Sequence, residues 1–355
     1  MAAQNPPLAA DDFDSDSVIS EPPGSLESLR SSVMRFHVEN GRTYHSMSSG
    51  KYSFPNDERE AERLDMQHHM WMLTLRGKLC LCPKQDEPAK RVLDCGTGTG
   101  IWAMDYADLH PESEVIGVDL SPMQPSWVPP NLSFELDDLE KDWTWSKPFD
   151  FIFGRVLAGS ISNYHDFIAK AYANLEPGGY LEMQDFALPY RSDDDTLPTS
   201  GPLHQLSALF IEGTTKAGRR MDVAPTYARL LREAGFEGVV EWQSKWPVNR
   251  WPRDPYFKEI GVWTHANLDT GLEGLTLALF TRFLGWSREE TLAFCAEVRA
   301  ALKDTRTHAY LPIYVVYGRK PLEKTEMTGS PVMSGGAGDG PLSPSLDPDP
   351  GTTTG

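Results

Sequence analysis

Short apolar runs separated by helix-length segments set the rhythm of this chain. Val92-Leu93, Val115-Ile116-Gly117-Val118, Phe134 to Leu136 and Phe149-Asp150-Phe151-Ile152-Phe153 are each too short for a core helix. Each is bounded by turn residues, so each predicts a buried strand. Leu175 to Met183, interrupted by Pro177-Gly178-Gly179, predicts a helix end, a turn and a fifth strand. Ahead of these runs, Asn56-Asp57-Glu58-Arg59-Glu60 follows Pro55 as a capped helix start. Leu64, His68, Trp71, Leu75 and Leu79 then recur at helical spacing, which predicts one face packed on a sheet. A helical stretch spans about 203–234, a sixth strand starts at Val239-Val240-Glu241-Trp242, and Leu311 to Tyr317 predicts the last. The segment 254–302 has helical apolar spacing through Ile260, Trp263, Leu275, Leu279, Phe280, Phe283 and Trp286. Its pattern fits a lid, a dimer surface or additional core. Alternating strands and helices place the chain in the α/β class.

Composition separates the ends from the body. Asp11, Asp12, Asp14 and Asp16 lie among Pro and Ser without a core-forming pattern, so residues 1–35 are expected to be a disordered acidic tail. The Gly, Pro, Ser and Thr of 323–355 predict a second disordered tail. The body, 36–322, divides into an N-terminal cap (36–89), a core (90–246), a helical insertion (247–308) and the last strand (309–322). The net charge of −18 disfavours broad nucleic-acid binding, which needs a basic face. Cys80, Cys82, Cys95 and Cys295 have neither zinc spacing nor the density of a secreted scaffold. They read as reduced packing residues, with no metal expected. No signal sequence and no membrane-length apolar run is visible, so a cytoplasmic protein is expected, with the nucleus as an alternative.

The chemistry concentrates where the first core strand ends. Arg91-Val92-Leu93-Asp94-Cys95 runs into Gly96-Thr97-Gly98-Thr99-Gly100, and the next strand ends at Asp119. Glycines there let the backbone approach a ligand. A Walker-type phosphate loop requires Lys and Ser or Thr after the last glycine, and here Ile101-Trp102 follow. A dinucleotide fingerprint requires G-x-G-x-x-G, whereas this chain has G-x-G-x-G behind Asp94, an acid that would repel a pyrophosphate. That acid suits the ammonium of an amino acid. Asp119, in turn, suits two ribose hydroxyls. S-adenosylmethionine (SAM) has both ends. The stretch resembles motif I of class I methyltransferases, and Gly117-Val118-Asp119-Leu120-Ser121 resembles their second-strand motif.

That resemblance implies a Rossmann-like, seven-stranded, mostly parallel sheet with the last strand antiparallel. It also implies roles. Asp94, Gly96, Thr97, Gly98 and Gly100 would line the methionine side, Asp119 the ribose, and Leu120 with Asp137 or Asp138 the adenine. Tyr44, Tyr52 and His68 precede the core, where such enzymes fold a helix over the cofactor. On the acceptor side Arg155 is a candidate for binding an anion or the SAM carboxylate, and His165 and Asp185 are candidate bases. His308 and Tyr310 are weaker candidates.

A narrower resemblance, to the fungal LaeA-like (UMTA-type) methyltransferases, covers about 40–321. It rests on Gly41-Arg42-Thr43-Tyr44-His45, Pro55-Asn56-Asp57-Glu58, Gly98-Thr99-Gly100-Ile101-Trp102, Gly154-Arg155 and Phe280 to Trp286, among others. Many members carry His where this chain has Phe153, which weakens a catalytic role there. The family implies a SAM-dependent enzyme acting on an O or N atom of a small molecule in secondary metabolism. Its other implied role is a nuclear regulator of secondary-metabolite genes with protein partners.

Overall fold

The computed structural model describes residues 37–45 and 53–322; both expected tails and Tyr52 lie outside these. A hairpin opens the chain, β1 (His37–Glu39) and β2 (Arg42–Tyr44). Its two-residue turn is Asn40-Gly41, both at positive φ, as a type I′ turn requires. Helix α1 (Glu58–Thr74) follows, with the Asp57 side chain accepting the Glu60 N–H as its N-cap. Seven strands then form one sheet. They are β3 (Arg91–Cys95), β4 (Glu114–Asp119), β5 (Leu132–Leu136), β6 (Phe149–Arg155), β7 (Leu175–Phe186), β8 (Glu237–Pro247) and β9 (Tyr310–Arg319). Their order is β5-β4-β3-β6-β7-β9-β8, and β9 runs antiparallel to both neighbours. This is the expected Rossmann-like sheet. The order reverses between β3 and β6, and the crevice outside their carboxyl ends is where such sheets bind ligands.

Period-two alternation assigns each face of the sheet its helices. Val92, Phe151 and Phe153 pack against Trp102 and Tyr106 of α2 (Ile101–Leu109). Leu93, Ile116 and Ile152 face the other way, towards α3 (Tyr164–Asn174) and α5 (Tyr227–Glu233). Between these two helices in sequence lies α4 (Pro202–Lys216). The single helical stretch expected over 203–234 is thus two helices, broken where Gly218 takes φ +71°.

A third apolar cluster gathers over the carboxyl edge. It joins Trp71 of α1 and Phe210 of α4 to α6 (Pro255–Leu279) and α7 (Arg288–Lys303), and to Leu311 and Ile313 of β9. The segment between β8 and β9 therefore packs inward against α1 and α4. A π-turn, Phe280–Leu284, ends α6, and a Ser287–Glu290 capping box starts α7. No helix among the described residues is long and apolar enough to cross a membrane.

Candidate active site

The turn after β3 owes its shape to glycine. Gly96, Gly98 and Gly100 all take positive φ, and Gly100, at +82°, is the N-cap of α2. A Cβ on Gly100 would sit 2.3 Å from the Phe134 ring, so both the conformation and the space exclude a side chain. The turn is pinned from four sides. Thr97 Oγ1 donates to Asp94 (2.6 Å), the Gly98 N–H to Asp119 Oδ2 (2.9 Å), Gln124 Nε2 to the Gly98 carbonyl (2.7 Å) and Thr99 Oγ1 to Asp65 of α1 (2.7 Å). The Ser121 N–H completes the hold on Asp119, at Oδ1 (2.9 Å). Burial raises the Asp94 carboxyl to about 7, although Thr97 and the Arg155 charge pull it down. Burial likewise raises Asp119 to about 6 against three backbone hydrogen bonds.

Arg155, the last residue of β6, is held on three sides. Nε donates to Gln184 Oε1 of β7 (2.8 Å), Nη1 to His68 Nδ1 of α1 (3.1 Å) and Nη2 to the Leu79 carbonyl (3.3 Å). The guanidinium also lies 5.3 Å from the Trp71 and Phe153 ring centres. Burial lowers the His68 pKa, so the ring is neutral and its Nδ1 is free to accept from Arg155. Its Nε2 meets Asp105 at 2.9 Å. Burial also lowers Arg155 to about 10, which leaves it cationic at neutral pH. Behind it, buried Glu182 accepts the Cys82 N–H (2.7 Å) and Gln184 Nε2 (2.7 Å), fixing the 79–82 segment to the sheet. The next residue, Val156, takes φ +55°, a strained conformation for a β-branched side chain.

These groups surround a cavity of about 230 Å³. One half is lined by Asp94, Gly96 to Gly98, Asp119, Leu120, Asp137 and Asp138, from the ends of β3, β4 and β5. The adjacent acids thus both reach the wall, although alternation in a strand would part them. The turn after β5 redirects them, with the Asp138 N–H donating to the Asp137 carboxylate (2.7 Å). The other half is largely apolar, with Trp71, Leu188, Tyr190, Phe210, Met221 and Trp246 on its wall. Arg155 stands where the halves meet. Glu60, Arg63 and Asn267 contribute a buried polar patch that joins α1 to α6.

Several sequence candidates lie elsewhere. Gly100 shapes the turn without lining the cavity. Tyr44 is buried with Arg282 4.9 Å from its ring centre, off the cavity wall. His165 is exposed in the first turn of α3, because Phe167 and Ile168 take the inward face. Asp185 is fully buried but on the opposite face of β7 from Gln184. It accepts the Ala158 N–H (2.8 Å) and the Tyr227 hydroxyl (3.0 Å), and burial raises it to about 7. It supports the Val156–Ala158 loop from behind. His308 and Tyr310 are spent on Asp194 and Asp193. The residues sequence reasoning passed over are Gln184, Glu60, Arg63 and Tyr190. Only Gln184 carried a signal, as a polar residue two positions on from Glu182 and therefore on the same face of the strand.

A family model described as a methyltransferase domain matches residues 66–241. The chain is 41% identical over 321 residues to the methyltransferase pytC of Aspergillus terreus, covering 90% of this chain and 98% of that one. It is 37% identical to a secondary metabolism regulator of Cochliobolus heterostrophus, over 80% of this chain and 95% of that one. To the secondary metabolism regulator laeA of Monascus pilosus it is 33% identical, over 81% and 78%. With the sheet order and the glycine turn in place, the chain belongs to the fungal LaeA-like class I methyltransferases and is a SAM-dependent enzyme.

Proposed function

We propose that this enzyme methylates an oxygen or nitrogen of a small molecule in fungal secondary metabolism. The observation that carries this reading is one cavity with two unlike halves. A glycine turn and four carboxylates line one, and apolar aromatic side chains line the other. SAM supplies an activated methyl on a sulfonium, so the chain's work is to align the acceptor and exclude water.

In this reading Asp94 faces the cofactor's ammonium and Arg155 its carboxylate. Asp119 accepts the ribose hydroxyls through the lone pairs left by Gly98 and Ser121, and Leu120, Asp137 and Asp138 border the adenine. Neutral His68 steadies Arg155. Tyr44, His165 and Asp185 lie off the cavity wall, so this reading gives Tyr44 no cofactor contact and neither His165 nor Asp185 the role of base. The relatives that are methyltransferases and the apolar half of the cavity support a small-molecule acceptor. Free, buried cysteines fit a reducing compartment such as the cytoplasm or nucleus.

The relatives named as regulators favour a second reading, a regulator of secondary-metabolite genes with a protein acceptor or none. Deleting the gene and comparing metabolites separates the two. Transfer predicts loss of one methylated compound and accumulation of its precursor, lighter by one CH2. Broad loss of unrelated compounds with no such precursor would support regulation and contradict the first reading.

A further inference from the structure

Two polar groups on the apolar wall of the cavity have no partner among the described residues, and only one of them is open to it. Tyr190 is only 6% exposed and lines the cavity; its backbone N–H is bonded to Ser207, but among the described residues its hydroxyl has no hydrogen-bond partner. Trp71 is fully buried on the same wall, and its indole N–H has no acceptor. Around them stand Leu188, Phe210, Met221 and Trp246. A buried donor left unpaired costs about 1–3 kcal/mol, and native interiors rarely tolerate one. The Tyr190 hydroxyl, which unlike the Trp71 N–H keeps accessible surface, marks where the oxygen of a bound molecule belongs. Trp71 packs edge-on against Trp246 (ring centres 5.0 Å apart), and Trp246 is itself anchored through Nε1 to Thr74 (2.7 Å), so the two indoles form a fixed aromatic wall.

We propose that this half is the acceptor site and that it takes a flat, apolar, aromatic molecule bearing a phenolic or enolic oxygen, recognised by the Tyr190 hydroxyl. The proposal rests on the methyltransferase reading above for its purpose, but the binding can be measured apart from it. Tyr190 meets the oxygen as a hydroxyl, since burial raises its pKa and keeps the proton on.

The test uses 2-naphthol and 2-methylnaphthalene, which have similar shape and differ by hydroxyl against methyl. Each is titrated by fluorescence into the full chain, with and without S-adenosylhomocysteine (SAH). Wild type is expected to bind 2-naphthol about tenfold tighter than 2-methylnaphthalene, the scale of a hydrogen bond in a buried site. Tyr190→Phe should shrink that ratio several-fold by weakening 2-naphthol alone. SAH affinity, measured in the same samples, should not change in Tyr190→Phe, and its retention shows that the variant is folded. Equal affinity for the two probes, no binding of either, or an undiminished ratio in Tyr190→Phe would overturn the proposal. A wild type that separates the probes but does not bind SAH would keep this site and sink the cofactor reading.

Discussion

Asp94 and Asp119 are acids that burial holds near neutrality, and this gives the site a pH signature. Their carboxyls titrate at about 7 and about 6, so the anions an ammonium and a ribose call for form only as pH rises through that range. We predict that SAH binds more tightly at pH 8 than at pH 5.5, with protons released on binding. Calorimetry in two buffers of different ionisation heat measures that release. The sign reverses for the empty protein. A folded-state pKa raised above the unfolded one contributes stability at low pH that is lost as pH climbs through the folded pKa. These two groups should therefore lower the Tm of the SAH-free protein between pH 5 and pH 8. A pH-independent SAH affinity would contradict this account. At the same scale, His165→Ala should leave SAH affinity and Tm unaltered, since the ring is exposed and off the cavity. Asp185→Ala should cost about 1–3 kcal/mol by stranding the Ala158 N–H and Tyr227 hydroxyl, read as a lower Tm. Asp185 misled because its place after a strand is right for a base. Strand parity decides the matter: Gln184 turns to Arg155, so Asp185 turns to Tyr227.

At the scale of elements, the β3–α2 turn was the most legible part of the chain. Its glycines, the acid before them and the acid ending the next strand all stand in one sequence pattern. We predict that Gly100→Ala costs about 1–2 kcal/mol from the left-handed backbone alone, beyond which the Phe134 ring must move. A thermal melt checks it, and an unchanged Tm would show that the turn can reshape. Helix α1 was legible as an amphipathic helix, and the family resemblance put a helix over the cofactor, but the contacts that serve that role were not legible. That role depends on Asp65 reaching Thr99 and His68 reaching Arg155, contacts between segments far apart in sequence. The insertion was less legible still. Its apolar spacing fits a lid, a dimer face or core equally well. Only the packing shows that Asn267, Leu268 and Leu275 of α6 turn onto the cavity.

At the scale of the whole molecule, an open sheet with its order reversing at β3 and β6 carries a helical layer of α1, α4, α6 and α7 over its carboxyl edge. In the proposed reading the sheet positions the cofactor half, and α1, α4 and α6 help wall the acceptor half, so ligand binding should tighten the union of the two. A ligand that binds only the folded state adds about 2.7 kcal/mol at a hundred times its Kd. SAH should therefore raise the Tm, with hydrogen-exchange protection growing in α1 and the glycine turn more than in α7. The acceptor wall escaped sequence reading because it is assembled from five distant segments, each ordinary in isolation.

The most direct test of the central claim is calorimetric titration of the purified chain with SAH, beside Asp119→Ala. The account predicts binding in the micromolar range by wild type, weakened at least tenfold, about 1.4 kcal/mol, by the substitution. No binding by folded wild-type protein, or equal binding by the two proteins, would contradict it.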